Sequence, residues 1–527
     1  MKYIPSFKTL PHAARLALLG FAFLIGFTNC GAPPSAPETD SLVFAHGSDA
    51  VNLDPGSMED GYSANIAQQM FEGLVKFKNG SLEIEPALAE RWETSGDGRE
   101  WTFYLRPGVK FHDGTTLTSE AIVLSLMRLL DENHPYHLAG RMPYADMALR
   151  GIVKEVVADG DMTVRVILYE PYAPLLKNLA MFCCFISSPA ALKKYGEEYS
   201  VHPVGTGPLR FVKWTRDVEV VLARYDEYWG APAKTQQVIY KVLRDPEVRL
   251  FSVARGEASI MVGINPQTAA EVKKNPNLTL LEQPGVNISF AYMNVEKGPL
   301  IDKRVRQAIN YAVNKKAICD HLFEGYAEPM RGIFPPSVLG HDPDSRAYEF
   351  DPDKAKALLV EAGYSDGFDI EIMTYSVPRP YNPIGARLAE VVQNDLSEIG
   401  VRVKISQVEW GTLLQRSLNH DFEICMLGWS TDNGDPDNFA YALLANPENR
   451  SQFKHEEFNR LVRLGQQTYD ENERLKIYQQ AQTIALDEAP WLFLNTTKDF
   501  AALRQNIKGF VLHPMALHYL WPVSIEN

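Results

Sequence analysis

From residue 287 to about residue 495, short apolar runs and amphipathic stretches take turns with little between them. Asn287–Tyr292, Ile370–Met373, Val401–Val408, Phe422–Leu427 and Leu492–Asn495 have the length and the β-branched or aromatic content of strands. Asp302–Phe323, Asp351–Ala362, Ile384–Ile399 and Glu456–Leu486 carry apolar residues at helical spacing. Asp351 is placed to cap, Pro352 suits a first turn, and Gly363 and Gly400 act as stops. Alternation of this kind builds a sheet with helices on its faces, the α/β class. The first half adds strands at Ser41–Ala45, Glu100–Leu105, Val218–Ala223 and Val238–Leu243. A hairpin is expected over Val153–Leu168 around Asp159-Gly160-Asp161, and a helix over Ala121–Leu130 opened by Thr118-Ser119-Glu120.

The chain has 527 residues, and single cores stop growing at roughly 250–300 residues, so two lobes are expected. Pro284-Gly285 is the first good boundary between them. Residues after about Lys498 are expected to cross back. Lobe I is then 41–285 plus 498–527, and lobe II is 286–497. A cleft between two such lobes is a preferred ligand site.

The N-terminus reads as an address. Lys2, Lys8 and Arg15 are followed by Leu16–Phe27, 12 residues without a charge. That is signal-peptide length, too short to span a bilayer comfortably. Cys30 follows, and residues 31–40 read as a flexible tether. This start resembles that of a bacterial lipoprotein, in which the cysteine is acylated. Phe27 and Asn29 stand where such starts usually carry Leu and Gly or Ala, so ordinary signal cleavage nearby is the alternative. No second long apolar run exists, so the body is expected to be soluble and to touch the membrane only through the anchor.

Charge and cysteines exclude more than they assign. The net charge of −14 disfavours nucleic acid and anionic lipid as partners. Cys183, Cys184, Cys319 and Cys425 fit no zinc spacing, and Cys183-Cys184 lies in an apolar run. Buried thiols are favoured, with one disulfide left open. No H-E-x-x-H, G-x-S-x-G or P-loop is present, so nothing points to an enzyme. The Asp-rich run 432–437 lacks the spacing of a calcium loop.

Several motifs in order resemble the peptide/nickel family of extracellular solute-binding proteins, family 5. They are Ala89-Glu90-Arg91-Trp92-Glu93, the run Thr102–Gly114, Pro203–Pro208 and Val305–Val313. Arg379-Pro380-Tyr381-Asn382-Pro383, Glu409-Trp410-Gly411 and Gly428–Phe439 resemble its dipeptide-binding members. The resemblance implies a two-lobed type II (cluster C) periplasmic-binding-protein fold with an extra subdomain in the N-terminal lobe. It also implies a monomer in the periplasm or at the cell surface, no cofactor, and an ABC transporter permease as partner. In the family the Phe111-His112-Asp113-Gly114 run is a structural strand and turn.

A free short peptide is a zwitterion, so its ends need one cation and one anion, and a planar guanidinium suits a carboxylate. The resemblance implies that Arg379 takes the peptide carboxylate and Asp432 its ammonium. Tyr381, Trp410 and Trp429 would wall the side-chain pockets. Gly47 and Ser48 would offer backbone hydrogen bonds from the opposite lobe. Asp435 reads as a turn-former beside Asn433-Gly434. Haem, glutathione, oligopeptides or nickel complexes are the alternative solutes within the family.

Overall fold

The computed structural model describes residues 40–140, 142–345 and 348–526. The signal-peptide run, Cys30 and nearly all of the tether lie outside the described residues. The first strand, β1 (Ser41–His46), sits between β2 (Gln237–Val242) and β3 (Ile260–Val262), parallel to both. Its inward residues Leu42 and Phe44 are fully buried and join a core that extends through Phe71, Phe103 and Val238. A separate four-stranded antiparallel sheet, Ala89–Thr94, Glu100–Leu105, Thr163–Leu168 and Val153–Ala158 in spatial order, packs into the same core. The short helix α1 (Pro143–Ala148) puts Ala145 and Ala148 into the same core.

β4 (Leu278–Pro284) is followed directly by β5 (Asn287–Met293). Gly285 between them is required by close approach, because a Cβ there would run into Asn287 and the Thr497 carbonyl. Then come β6 (Phe368–Tyr375), β7 (Val401–Val408), α2 (Trp410–Leu418), β8 (Ile424–Ser430) and α3 (Glu471–Glu488). Strands β7, β6 and β8 are adjacent and parallel, and β5 runs antiparallel to β8. Ile288, Phe290, Ile372 and Trp491 centre a second core.

One strand belongs to both halves. β9 (Trp491–Arg504) runs 14 residues. Its first part pairs with β5 and its second part with β4 and β3. Trp491–Leu494 are buried in the second core, whereas Ala501 and Leu503 are buried in the first. The sheets therefore join into one 12-stranded ladder.

Two helices expected from periodicity are broken. The stretch 302–323 is helical over Lys303–Ala312, then turns extended at Val313 and restarts at Lys315. Asn314 causes the restart. Its side chain caps Ala317 N at 2.9 Å while its own N–H donates to Asp395 at 2.9 Å. The stretch 456–486 divides into Glu456–Gln467 and α3 because Asp470 caps a new start at Glu473 N. The strand expected over 492–495 is the first third of β9 alone. Cys183, Cys184, Cys319 and Cys425 are buried and free. Among the described residues no helix is long and apolar enough to cross a membrane.

Candidate functional site

Ligands of open α/β sheets bind beyond the carboxyl ends of the parallel strands. Here β7, β6 and β8 deliver their loops to one such edge, at strand spacings of about 4.8 Å. β7 leads into Trp410, β6 into the loop that carries Arg379 and Tyr381, and β8 ends in Trp429 and runs on to Asp432.

The Arg379 loop is held by backbone. Arg379 and Asn382 exchange reciprocal N–H to carbonyl bonds of 3.0 and 2.9 Å. Asn382 also donates to the Gly385 carbonyl at 3.0 Å. The Pro380 carbonyl accepts from Thr497 Oγ1 of β9 at 2.9 Å, which fastens the loop to the shared strand. The guanidinium lies 3.5 Å from the Trp410 ring centroid, and Trp410 stands edge-on to Tyr375 at 5.2 Å. Its Nε is buried without a partner, and among the described residues no carboxylate reaches salt-bridge distance of Arg379. A cation–π contact fixes the plane of the fork but neutralises nothing.

Tyr381 is buried. Its ring packs on Gly428, where a Cβ would overlap the ring and the Ile288 carbonyl. Burial pushes its phenol pKa well above the usual range.

The 431–438 loop is a chain of side-chain turns. Thr431 Oγ1 accepts from Gly434 N at 2.8 Å, Asn433 Oδ1 from Asp435 N at 2.9 Å, and Asp435 Oδ1 from Asp437 N at 3.0 Å. Asn438 was not singled out by the sequence, yet it organises the site. Its Oδ1 accepts from Trp429 Nε1 at 2.8 Å and from Asp432 N at 3.1 Å, and its Nδ2 donates to Asp432 Oδ2 at 3.4 Å. Asp432 has no cation within salt-bridge distance among the described residues. Burial raises its carboxyl to about 6, and the Asn438 bond only partly offsets this. From the other lobe Tyr144 of α1 feels the same carboxylate, which with burial raises its phenol pKa.

Asp435 is structural, as its turn reading implied. Arg474 of α3 donates to both of its oxygens, at 2.8 and 2.6 Å. The loop also closes onto the first lobe. Lys177 donates to the Gly434 carbonyl at 2.8 Å, Asn433 to Asn178 at 2.7 Å, and Tyr172 to Asp437 at 2.9 Å. Gly47 and Ser48 follow β1 and are half-buried, with Gly47 against Tyr62 and Arg249. No hydrogen bond or ring contact among the described residues joins them to the other five candidates. Asp49 beside them is occupied, accepting from Trp214 Nε1 at 3.0 Å and from Asp217 N at 2.8 Å.

Two α/β lobes crossed by a shared strand, with unpaired polar groups gathered at the carboxyl edge of one sheet, define a two-lobed periplasmic binding protein. The match to known families is specific within that class. Residues 83–451 fit the bacterial extracellular solute-binding proteins, family 5, and the chain belongs to that family. It is 35% identical to the dipeptide-binding protein of Escherichia coli K12, over 93% of this chain and 95% of that one. It is 34% identical to the heme-binding protein A of Haemophilus influenzae, over 93% of each. The solved structure of the periplasmic binding protein DppA of Helicobacter pylori with the peptide STSA superposes with a TM-score of 0.79. That chain is 31% identical, and the match covers 92% of this chain and 98% of that one.

Proposed function

We propose that the protein is the substrate-binding component of an ABC importer and holds a short peptide, a dipeptide above all, between its lobes. The observation that carries this reading is the pair of charges at one sheet edge that are uncompensated among the described residues: Arg379 without an anion and Asp432 without a cation. A zwitterionic ligand supplies both partners at once. Arg379 takes the carboxylate, Asp432 takes the ammonium, and Trp410 and Trp429 flank the side chains over Tyr381. Gly47 and Ser48 contribute backbone groups from the facing lobe. The peptides named for the relatives support this choice. Export as a monomer to the periplasm or cell surface, acylation at Cys30, and delivery to a membrane permease belong to the same reading. So do lobe boundaries at 285/286 and 497/498 with a subdomain over 75–205, which the separate cores and the separate four-stranded sheet support.

Ligand favours the closed arrangement only through contacts that improve on closing. Apart from any ligand, hydrogen bonds from Lys177 and Tyr172 to the 433–437 loop join the two sides of this arrangement.

Capping tests the charge logic. Free Ala-Ala is expected to bind in calorimetry and its acetylated, amidated form to give no measurable heat. Tight binding of the capped form would defeat the reading. Haemin serves as the comparison ligand, because one relative is a heme-binding protein. A Soret shift with haemin and no heat with any dipeptide would replace peptide by haem.

Acidity tests Asp432. An acid whose pKa in the empty site is raised to about 6 must lose its proton before it can pair with an ammonium. Protons therefore compete below pH 6, whereas above about pH 8 the peptide amine itself deprotonates. Dipeptide affinity is expected to be flat near pH 7 and about tenfold weaker at pH 5, by the linkage of one proton. Asp432→Asn should bind weakly with no acidic limb. A flat profile from pH 7 to pH 5 in the unaltered protein would remove Asp432 from the ammonium role.

A further inference from the structure

The 433–437 loop, which follows Asp432 directly, is tied to the opposite core by three side chains that lie close together in sequence. Tyr172 packs against the first core, and the short helix Leu175–Leu179 buries Leu175 and Leu179 in it. Lys177 and Asn178 stand on that helix. On the other side, Asp437 opens the short helix Asp437–Ala440, whose Phe439 and Ala440 are buried in the second core. The bonds between Lys177 and Gly434, Asn178 and Asn433, and Tyr172 and Asp437 therefore stitch one core to the other.

Further bonds continue the seam. Ala173 N donates to the Gln466 carbonyl at 2.6 Å, Tyr172 N to Tyr469 Oη at 3.1 Å, and Tyr469 Oη to the Gly98 carbonyl at 2.8 Å. Neither Arg379 nor Asp432 takes part in any of these bonds. Asp432 is nevertheless bracketed by them. Its chain neighbour Asn433 is held by Asn178, and its hydrogen-bond partner Asn438 follows Asp437, which is held by Tyr172. Gly434 permits the close approach, since it has a φ of +67° and a Cβ there would overlap Leu82.

We propose that Tyr172, Lys177 and Asn178 are positioning residues: by clipping the 433–437 loop to the opposite core they hold Asp432 in place over a bound peptide and slow its release without touching it. This inference rests on the peptide reading above. A peptide enclosed between the two sides leaves only when they part, and parting breaks the clips. Encounter comes before the clips form and does not feel them. Their contribution therefore falls on the dissociation rate, where most affinity differences between related complexes lie. Lys177 carries the largest share, because a charged donor makes the stronger hydrogen bond.

The test is stopped-flow tryptophan fluorescence with Ala-Ala on the full chain, which gives both rate constants. Lys177→Met removes the cationic donor and keeps an apolar stem. Asp435 retains both Arg474 bonds in that variant, so no bare charge results. Combined with Tyr172→Phe, it is expected to raise the dissociation rate about tenfold while changing the association rate by less than about threefold. Lys177→Met alone should show part of the same rise, and it decides the matter if thermal unfolding shows the double variant to be misfolded. An unchanged dissociation rate in these variants, with Ala-Ala still bound, overturns the clip and leaves the peptide reading standing. A loss confined to the association rate also overturns it, since the side chains would then only shape the loop. If the unaltered protein binds no Ala-Ala, the peptide reading fails and the clip with it.

Discussion

Arg379→Ala is expected to weaken dipeptide binding by at least a hundredfold while leaving the fold intact. Removing one member of a buried charge pair costs about 3–5 kcal/mol, because the other charge stays desolvated. That range corresponds to roughly a hundred- to several-thousand-fold in affinity. The fold should tolerate the change, since the guanidinium is only half-buried and its recorded side-chain partner is the Trp410 ring. The loop itself is held by the backbone pair with Asn382 and by Thr497. Arg379→Lys keeps a charge but loses the two-pronged geometry, and should fall between. Titration calorimetry decides the matter, with thermal unfolding run beside it. Equal affinity in Arg379→Ala would remove the carboxylate role and leave only membership of the solute-binding family.

Arg474→Leu is expected to have the largest effect on stability, about 3–5 kcal/mol. Asp435 is 1% exposed and receives both of its strong donors from Arg474, while Lys177 stands farther off at 3.9 Å. Without the guanidinium, a carboxylate that this pair holds below the usual range would have to stay charged and bare or take up a proton. The damage should spread, because the Asp435 carboxylate also accepts from Asp437 N within the turn chain that positions Asp432. Arg474→Leu should therefore bind peptide poorly as well. Combining it with Asp435→Asn should recover part of the lost stability, since no bare charge remains. Urea unfolding gives the comparison. A loss below about 1 kcal/mol for Arg474→Leu would place this pair among the weak surface bridges.

What could be read along the chain was whatever local pattern decides. β7 occupies the expected Val401–Val408, and the strand Glu100–Leu105 is also placed residue for residue. Both alternate or cluster apolar residues between clear stops. The helix over 302–323 broke where a side chain outcompeted periodicity: Asn314 carries the polar atom that caps the restart. Site residues followed the same division. Arg379, Trp410, Trp429 and Asp432 could be singled out from runs resembling a known family, and adjacent parallel strands bring their loops to one edge. Asn438 stood inside one of those runs without a role, because its work depends on Trp429 and Asp432 meeting it in space. Met147 and Tyr144 belong to a helix far away in sequence. No local pattern tells that they face the 432–438 loop from across the cleft.

The continuity of β9 limits how the molecule can breathe. Its ladder bonds run on both sides of the Thr497–Lys498 step, so one half cannot slip lengthwise past the other without breaking several of them. Twisting and bending of the ribbon remain cheap. If the proposed cleft opens and closes, this continuous ladder would hold the two walls in lengthwise register, as a piano hinge keeps a door in line with its frame.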